Sequence, residues 1–247
     1  MSMNPKEQFN LEKADNIAAL GNDQSTKATA LKFMMDSGAH KYTYNFTWLG
    51  RPIIQYPQDI VAMQEIIWQV KPDLIIETGI AHGGSLILSA SILQLIGGDG
   101  QVLGIDIDIR EHNKKEIESH PMATRIKMIE GSSVEEESIR RVHEFAKGKK
   151  KIMVILDSNH THDHVIRELN AYAGLVSKDS YLIVFDTAVE DVPEDYNWGG
   201  RPWGKGNNPK TAVWEFLKRH DEFEIDTSIH NKLLITVAPD GYIKRVK

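Results

Sequence analysis

A chain of 247 residues, 41% hydrophobic and 26% charged, has an ordinary globular composition: enough for one large α/β domain with a sizeable core, and too apolar for wholesale disorder. The formal net charge of −6 argues against a nucleic-acid partner, which demands a concentrated positive field, and the lack of cysteine removes disulfides, thiolate zinc sites and a cysteine nucleophile. Residues 1–20 are too polar for a secretory signal and no apolar run approaches the ~20 residues of a spanning helix, so a soluble, cytoplasmic protein without a membrane partner is expected.

Helical patterns cover residues 11–20 and 26–37, with polar joins and no strong apolar core of their own. The segment Tyr44-Asn45-Phe46-Thr47-Trp48-Leu49-Gly50-Arg51-Pro52 is aromatic and reads as irregular. Residues 1–60 are therefore expected to form a helical arm with an aromatic segment, folded on the main domain or on another subunit of a homo-oligomer. Pro57-Gln58-Asp59 opens a helix over 60–70. From residue 61 to 247 strand and helix alternate as a single ligand-binding domain. Strands are expected at 73–77, 101–106, 126–130, 151–156 and 180–185, with helices at 85–96, 111–119, 135–146 and 163–175. The basic run at 147–151 reads as a solvated helix end. Near-continuous apolar strands separated by helices describe a parallel sheet covered on both faces.

A Gly/Pro/Trp-rich loop, 187–209, precedes a helix at 210–220, strands at 223–227 and 233–238, a Pro239-Asp240-Gly241 turn and a short tail at 242–247. Two strands with one helix between loop and tail imply that the last strand joins antiparallel. The expected fold is α/β: a doubly wound, mostly parallel seven-stranded sheet with an antiparallel last strand and an N-terminal helical extension.

In an open parallel sheet, ligands sit beyond the carboxyl ends of the strands. Glu77, Asp106, Glu130, Asp157 and Asp186 fall there, which core packing alone does not require. The first such loop reads Glu77-Thr78-Gly79-Ile80-Ala81-His82-Gly83-Gly84-Ser85. Its Gly79 and Gly83 permit close ligand approach, but Ala81 stands where a G-x-G-x-x-G fingerprint needs its second glycine, and an acid precedes the first. A carboxylate there suits a cationic amino-acid group better than a pyrophosphate; the alternative is a tight strand-to-helix turn without a ligand. Asp106 can accept from both ribose hydroxyls or cap the next helix. Gly131-Ser132-Ser133 can meet an adenine edge or form a capping box with Glu136.

Asp157-Ser158-Asn159-His160-Thr161-His162-Asp163-His164 is the densest chemical cluster. Asp157 and Asp186 end neighbouring strands and suit a hard divalent cation such as Mg²⁺, with Zn²⁺ or Fe²⁺ as runners-up. His160, three residues after Asp157, falls beside that site and can take a substrate proton. Asp163 is expected to cap the next helix, and His162 and His164 to lie on its exposed first turn. Trp198, Arg201 and Trp203 in the long loop form either a mobile substrate lid or an ordered surface packed on a partner subunit.

From Tyr44 onward the chain resembles the cephalosporin hydroxylase family, also described as rhamnosyl O-methyltransferase-like. The segments that carry the resemblance are Tyr44 to Pro52 as quoted, Gln55-Tyr56-Pro57-Gln58-Asp59, Glu77-Thr78-Gly79 with Gly83-Gly84-Ser85, Leu156-Asp157-Ser158-Asn159-His160, and the tail from Pro209 through Phe216 to Lys244-Arg245-Val246. The resemblance implies a class I methyltransferase, Rossmann-like, with S-adenosylmethionine and a Mg²⁺ site, related in plan to catechol O-methyltransferases. Carried over, Glu77, Gly79 and Ser85 line the methionine end, Asp106 the ribose, and Ser132, Ser133 and Asp157 complete the cofactor site. Asp157 and Asp186 hold the metal, and His160 stands where catechol-type enzymes carry a catalytic lysine. Such enzymes commonly place two adjacent acid or amide residues after the fifth strand; Asp186-Thr187 departs from this, and Thr187 is a poorer third ligand.

The expected function is therefore methyl transfer to a hydroxyl of a small molecule, sugar or natural-product-like. Three rivals remain at this level. One is an iron-dependent hydroxylase, which needs two histidines and a carboxylate on one face of the metal; the others are a nicotinamide dehydrogenase and a catalytically vestigial cofactor-binding subunit.

Overall fold

The computed structural model describes residues 4–196 and 199–247. Two capped helices begin the chain. In α1 (Pro5–Asn22) the Asn4 side chain accepts from the Lys6 amide, and in α2 (Gln24–Gly38) Asp23 accepts from the Ser25 and Thr26 amides. Neither carries a strong apolar face: α1 buries no residue and α2 only Ala30.

The aromatic segment is more regular than its composition suggests. A 3-10 turn at Tyr42–Asn45 leads into an antiparallel hairpin of β1 (Phe46–Trp48) and β2 (Arg51–Ile53), paired Phe46 to Ile53 and Trp48 to Arg51. Its two turn residues, Leu49 and Gly50, both have positive φ, 46° and 87°. Left-handed hairpin turns normally announce themselves with Asn or Asp before Gly, and Leu49 hides this one.

Helix α3 (Pro57–Val70) buries Ile60, Met63, Ile67 and Val70 at helical spacing. Five parallel strands follow, β3 (Leu74–Thr78), β4 (Gln101–Asp106), β5 (Ile126–Glu130), β6 (Ile152–Leu156) and β7 (Tyr181–Val184). Between them run α4 (Gly84–Ile96), α5 (Glu111–Glu118), α6 (Glu136–Ala146) and α7 (His162–Tyr172). Alternate strand residues feed two core layers. Ile75, Val102, Met153 and Ile183 face α3 and α4, while Leu74, Ile76, Leu103, Val154 and Leu182 face α6 and α7.

The seven-stranded order is β5-β4-β3-β6-β7-β9-β8. The winding direction therefore reverses between β3 and β6, whose ends are in register at Thr78 and Leu156. This switch point sets the loop after β3 beside the loop after β6.

The C-terminal end corrects the sequence-based expectation. Helix α8 (Pro209–Leu217) and β8 (Phe223–Ile225) stand where expected, but residues 233–238 are not a strand. Helix α9 (Thr227–Leu233) runs into them, and the last strand, β9 (Tyr242–Arg245), lies in what reads as a tail. It enters antiparallel between β7 and β8. The apolar run is broken at Leu234, with φ 59°, and captured by a buried carboxylate. Asp59, wholly buried in α3, accepts from Thr236 Oγ1, the Val237 amide (3.0 Å) and the Tyr242 hydroxyl (2.7 Å). Burial pushes its carboxyl up to about 6 against these three bonds. Asp59→Ala leaves the three donors buried without an acceptor and is expected to destabilise the fold by on the order of 3 kcal/mol in denaturant unfolding. A loss below about 1 kcal/mol would show that the knot holds nothing.

Among the described residues, no helix is long and apolar enough to cross a membrane.

Candidate functional site

The loop after β3 is a tight turn made possible by its glycines. A Cβ on Gly79 (φ 90°) would sit 2.0 Å from the Asp157 carbonyl, so the switch point closes only with glycine there. Gly83 (φ 82°) packs on Ile117. The turn delivers Glu77 and Ser85 to each other: Ser85 Oγ donates to Glu77 Oε1. Glu77 is 2% exposed, and its Oε2 is buried with no hydrogen-bond partner. Burial raises its carboxyl to about 7 in spite of the Ser85 bond. A buried carboxylate oxygen without a donor is costly and fits a cationic group arriving from outside.

Asp106, at the end of β4, does not cap α5, whose N-cap is Arg110. Its Oδ2 accepts from the Ile80 (2.7 Å) and Ala81 (3.3 Å) amides, and its Oδ1 from the Asp108 amide (3.1 Å). The capping box at Ser132 and Ser133 is also absent, since α6 has Glu135 as its N-cap without a side-chain bond. Ser133 is instead buried. Its hydroxyl meets His164 Nε2 at 3.1 Å, and its carbonyl accepts from Tyr172. Ser132 lies half-buried on the same loop.

Asp157, His160 and Asp186 converge, with one ligand atom from each lying within 4.8 Å of the others. The chain turns at Asp186 with φ 55°, and His160 Nε2 donates to Asp186 Oδ2 at 3.0 Å. Burial disfavours a charged His160, yet the charge and hydrogen bond of Asp186, helped by Asp157, lift the ring to about 9. Burial and then Asp186 hold Asp157 well above the ordinary carboxylate range. Burial pushes Asp186 upward too, but the His160 charge and hydrogen bond bring it below its usual value. His160 and Asp186 form the ion pair, and the Asp157 carboxyl lies beside them. Thr187 is not brought to it: fully buried, its Oγ1 donates to the Pro239 carbonyl at 2.6 Å.

The neighbouring histidines point elsewhere, and they are half-buried rather than exposed on a first helical turn. His162 meets Thr211 Oγ1 (2.8 Å) and Glu215 Oε2 (3.2 Å) on α8. His164 Nε2 lies 3.1 Å from both Ser133 Oγ and Ser158 Oγ, and Ser158 donates to Glu168 Oε1 at 2.7 Å. Asp163 sits within the first turn of α7, whose N-cap is Thr161.

The long loop covers His160. Trp203 stands edge-on to its ring, centroids 4.7 Å apart, and Arg201 lies 5.2 Å over Trp203. Glu190 accepts from the Gly206 amide (2.8 Å) and from Asn208 Nδ2, while Asn207 Oδ1 accepts from the His162 amide (2.9 Å). Trp198 lies outside the described residues. Sequence reasoning missed Glu168, wholly buried with Oε2 unpartnered, because nothing in an amphipathic helix pattern marks one glutamate as inward-facing. It also missed Arg51 and Asn113, which hold the glycine loop.

A family model described as Rhamnosyl O-methyltransferase/CmcI matches residues 40–246. The chain is similar to the rhamnosyl O-methyltransferase of Mycobacterium tuberculosis, 31% identical over 221 residues and covering 83% of each protein. Its likeness to the rhamnosyl O-methyltransferase of Mycobacterium leprae is 30% over 216 residues, covering 83% of this chain and 88% of that one. Among solved structures, a CmcI described with Mg and SAM aligns with TM-score 0.57 at 20% identity, over 83% of this chain and 78% of that one. An O-methyltransferase from Bacillus cereus in complex with SAH aligns with TM-score 0.52 at 14% identity, over 82% of each. These two likenesses identify the fold as that of class I methyltransferases.

Proposed function

The chain belongs to the rhamnosyl O-methyltransferase/CmcI family, and on that premise we propose that it is an S-adenosylmethionine-dependent, Mg²⁺-assisted O-methyltransferase acting on a hydroxyl of a small molecule, sugar or natural-product-like. The observation that carries this reading is the convergence of Asp157, His160 and Asp186 at the switch point. Two carboxylates give a hard cation the oxygen donors it prefers, and an imidazole beside them is the group suited to moving a proton.

The residues present fit both groups. The unpartnered Oε2 of Glu77 would take the cofactor's ammonium, Asp106, whose Oδ1 accepts only the Asp108 amide, would have a lone pair left for a ribose hydroxyl, and Asp157 and Asp186 would hold the cation. When bound, S-adenosylmethionine supplies an electrophilic sulfonium methyl and Mg²⁺ supplies a Lewis acid that acidifies an acceptor hydroxyl. The protein orients the reactants and manages the proton. The charges of Asp186 and Asp157 are what lift the His160 ring. With both carboxylates turned to a cation the imidazole would lose that support and be the group left to accept the proton, and Trp203 with the loop behind it shields the ring from water.

An iron-dependent oxygenase is disfavoured by the donor set. Such a centre needs two histidines and a carboxylate, whereas His162 and His164 are committed to α8 and to Ser133 and Ser158.

Calorimetry with S-adenosylmethionine, S-adenosylhomocysteine and NADH, with and without Mg²⁺, tests the reading. Both adenosyl compounds are expected to bind at about micromolar Kd, and Asp106→Ala to weaken them at least about tenfold. Binding of NADH alone, or of none of the three, would overturn it.

A further inference from the structure

The glycine loop is gripped from outside by the β1–β2 hairpin. Arg51 in β2 is only 8% exposed. Its Nε (3.0 Å) and Nη2 (2.6 Å) both donate to the carbonyl of His82, in the middle of the loop. Nη2 also reaches Asn113 Oδ1 (3.1 Å) and Nη1 reaches Glu116 Oε2 (2.7 Å), both on α5. Asn113, itself buried, donates its side-chain amide to the Ala81 carbonyl at 3.0 Å. The loop's carbonyls at 81 and 82 are thus held by Arg51 and Asn113, while its amides at 80 and 81 are held by Asp106.

The hairpin is also anchored on both sides of the loop. Trp48 Nε1 donates to Ser91 Oγ on α4 (3.0 Å), and His120, beyond α5, lies 3.0 Å from the Leu49 carbonyl. A Cβ on Gly84 would fall 2.2 Å from the Pro52 carbonyl, so the hairpin backbone rests directly on the first residue of α4. Ala81 has φ 46°, a conformation an alanine keeps only when its surroundings over-determine it. Two donors of one planar guanidinium closing on a single loop carbonyl are a geometry that lysine does not reproduce.

We propose that the β1–β2 hairpin is a working part of the cofactor site and that Arg51 is a positioning residue, holding the glycine loop in the shape that receives the cofactor's amino-acid end. The inference rests on reading the site as one for S-adenosylmethionine. It also moves the functional boundary of the domain from about residue 60 to about residue 40, where the family match begins, leaving only α1 and α2 as the appended arm.

The test compares Arg51→Lys and Asn113→Ala with the unaltered protein, after thermal melts of each. The readouts are S-adenosylhomocysteine affinity by calorimetry, Mg²⁺ affinity by titration, and hydrogen exchange at the amides of residues 80–84 without any added compound. Arg51→Lys is expected to weaken S-adenosylhomocysteine about 10- to 100-fold and to speed exchange in the loop, with Mg²⁺ affinity unchanged. Asn113→Ala removes the Ala81 contact and one acceptor of Arg51 Nη2 but leaves both Arg51 bonds to the His82 carbonyl. It is expected to do the same more weakly, so it carries the test if the lysine variant does not fold. A merely structural role would lower the melting temperature without separating the two affinities. Equal S-adenosylhomocysteine binding by the unaltered protein and both variants overturns the role of Arg51 alone. Failure of the unaltered protein to bind S-adenosylhomocysteine overturns the cofactor reading and this inference with it.

Discussion

Replacing His160 with Ala is expected to cut turnover by about 100- to 10,000-fold while leaving S-adenosylhomocysteine affinity nearly unchanged. The separation follows from geometry. His160 belongs to the group around Asp157 and Asp186, whereas the residues proposed to hold the cofactor's polar ends, Glu77 and Asp106, make their bonds to Ser85 and to the loop amides. The variant should also fold. The loop over His160 loses the edge of one ring against Trp203, but Glu190 and Asn207 still tether it through Gly206, Asn208 and His162. Steady-state turnover and calorimetry on the same preparation decide the matter. Full turnover without His160 would place the base elsewhere and reduce the cluster to a cation site. A parallel collapse of cofactor affinity would make His160 a binding residue.

The parallel core was legible because its strands, β5 with its Lys127 aside, carry near-continuous apolar runs with an acid at or just past the end. Buried on both faces, β3, β4 and β6 cannot be mistaken for half-exposed hairpins. The strand order was not legible: only the structure sets β3 beside β6, which brings their loops together and Gly79 against the Asp157 carbonyl. What stayed hidden depends on contacts far apart in the sequence. The apolar run at 233–238 has strand composition, yet Asp59, some 180 residues earlier, binds Thr236 and Val237 and holds them off the sheet. Tyr242 and Ile243 form a strand although Lys244 and Arg245 give them the look of a charged tail, because a single buried pair suffices once β7 and β8 flank it. Arg51 reads as an isolated charge between a glycine and a proline, and its partners His82, Asn113 and Glu116 are 31 to 65 residues away. His164 looked exposed since helical spacing alone does not reveal that Ser133 and Ser158 would close over one side of the first turn of α7.

Glu77→Gln is expected to separate stability from binding in opposite directions. In the folded protein burial raises the Glu77 carboxyl from 4.5 to about 7. Between those values the unfolded chain has already lost the proton that the folded chain keeps, so rising pH favours unfolding across that window. Above about pH 7 the folded state carries the whole cost, on the order of 3 kcal/mol at 1.36 kcal/mol per unit. Glutamine has the same shape, can still accept from Ser85, and does not ionise. The cofactor-free variant should therefore be more stable than the unaltered protein at pH 8, and its stability should vary less between pH 5 and 8. One site-level cost is shared by both, for the variant leaves an unpartnered amide where Oε2 is now unpartnered. Binding should move the other way. A neutral amide cannot balance the ammonium of S-adenosylhomocysteine, and affinity should fall by about 100-fold or more. The proton gives a further signature: an ammonium needs Glu77 ionised, so near pH 7 binding to the unaltered protein releases a proton and its calorimetric heat depends on the buffer's ionisation enthalpy, while the variant's does not. A variant that binds S-adenosylhomocysteine normally would remove Glu77 from the cofactor site. One that binds poorly but is also less stable at pH 8 would show that the carboxylate already has a cationic partner in the cofactor-free protein.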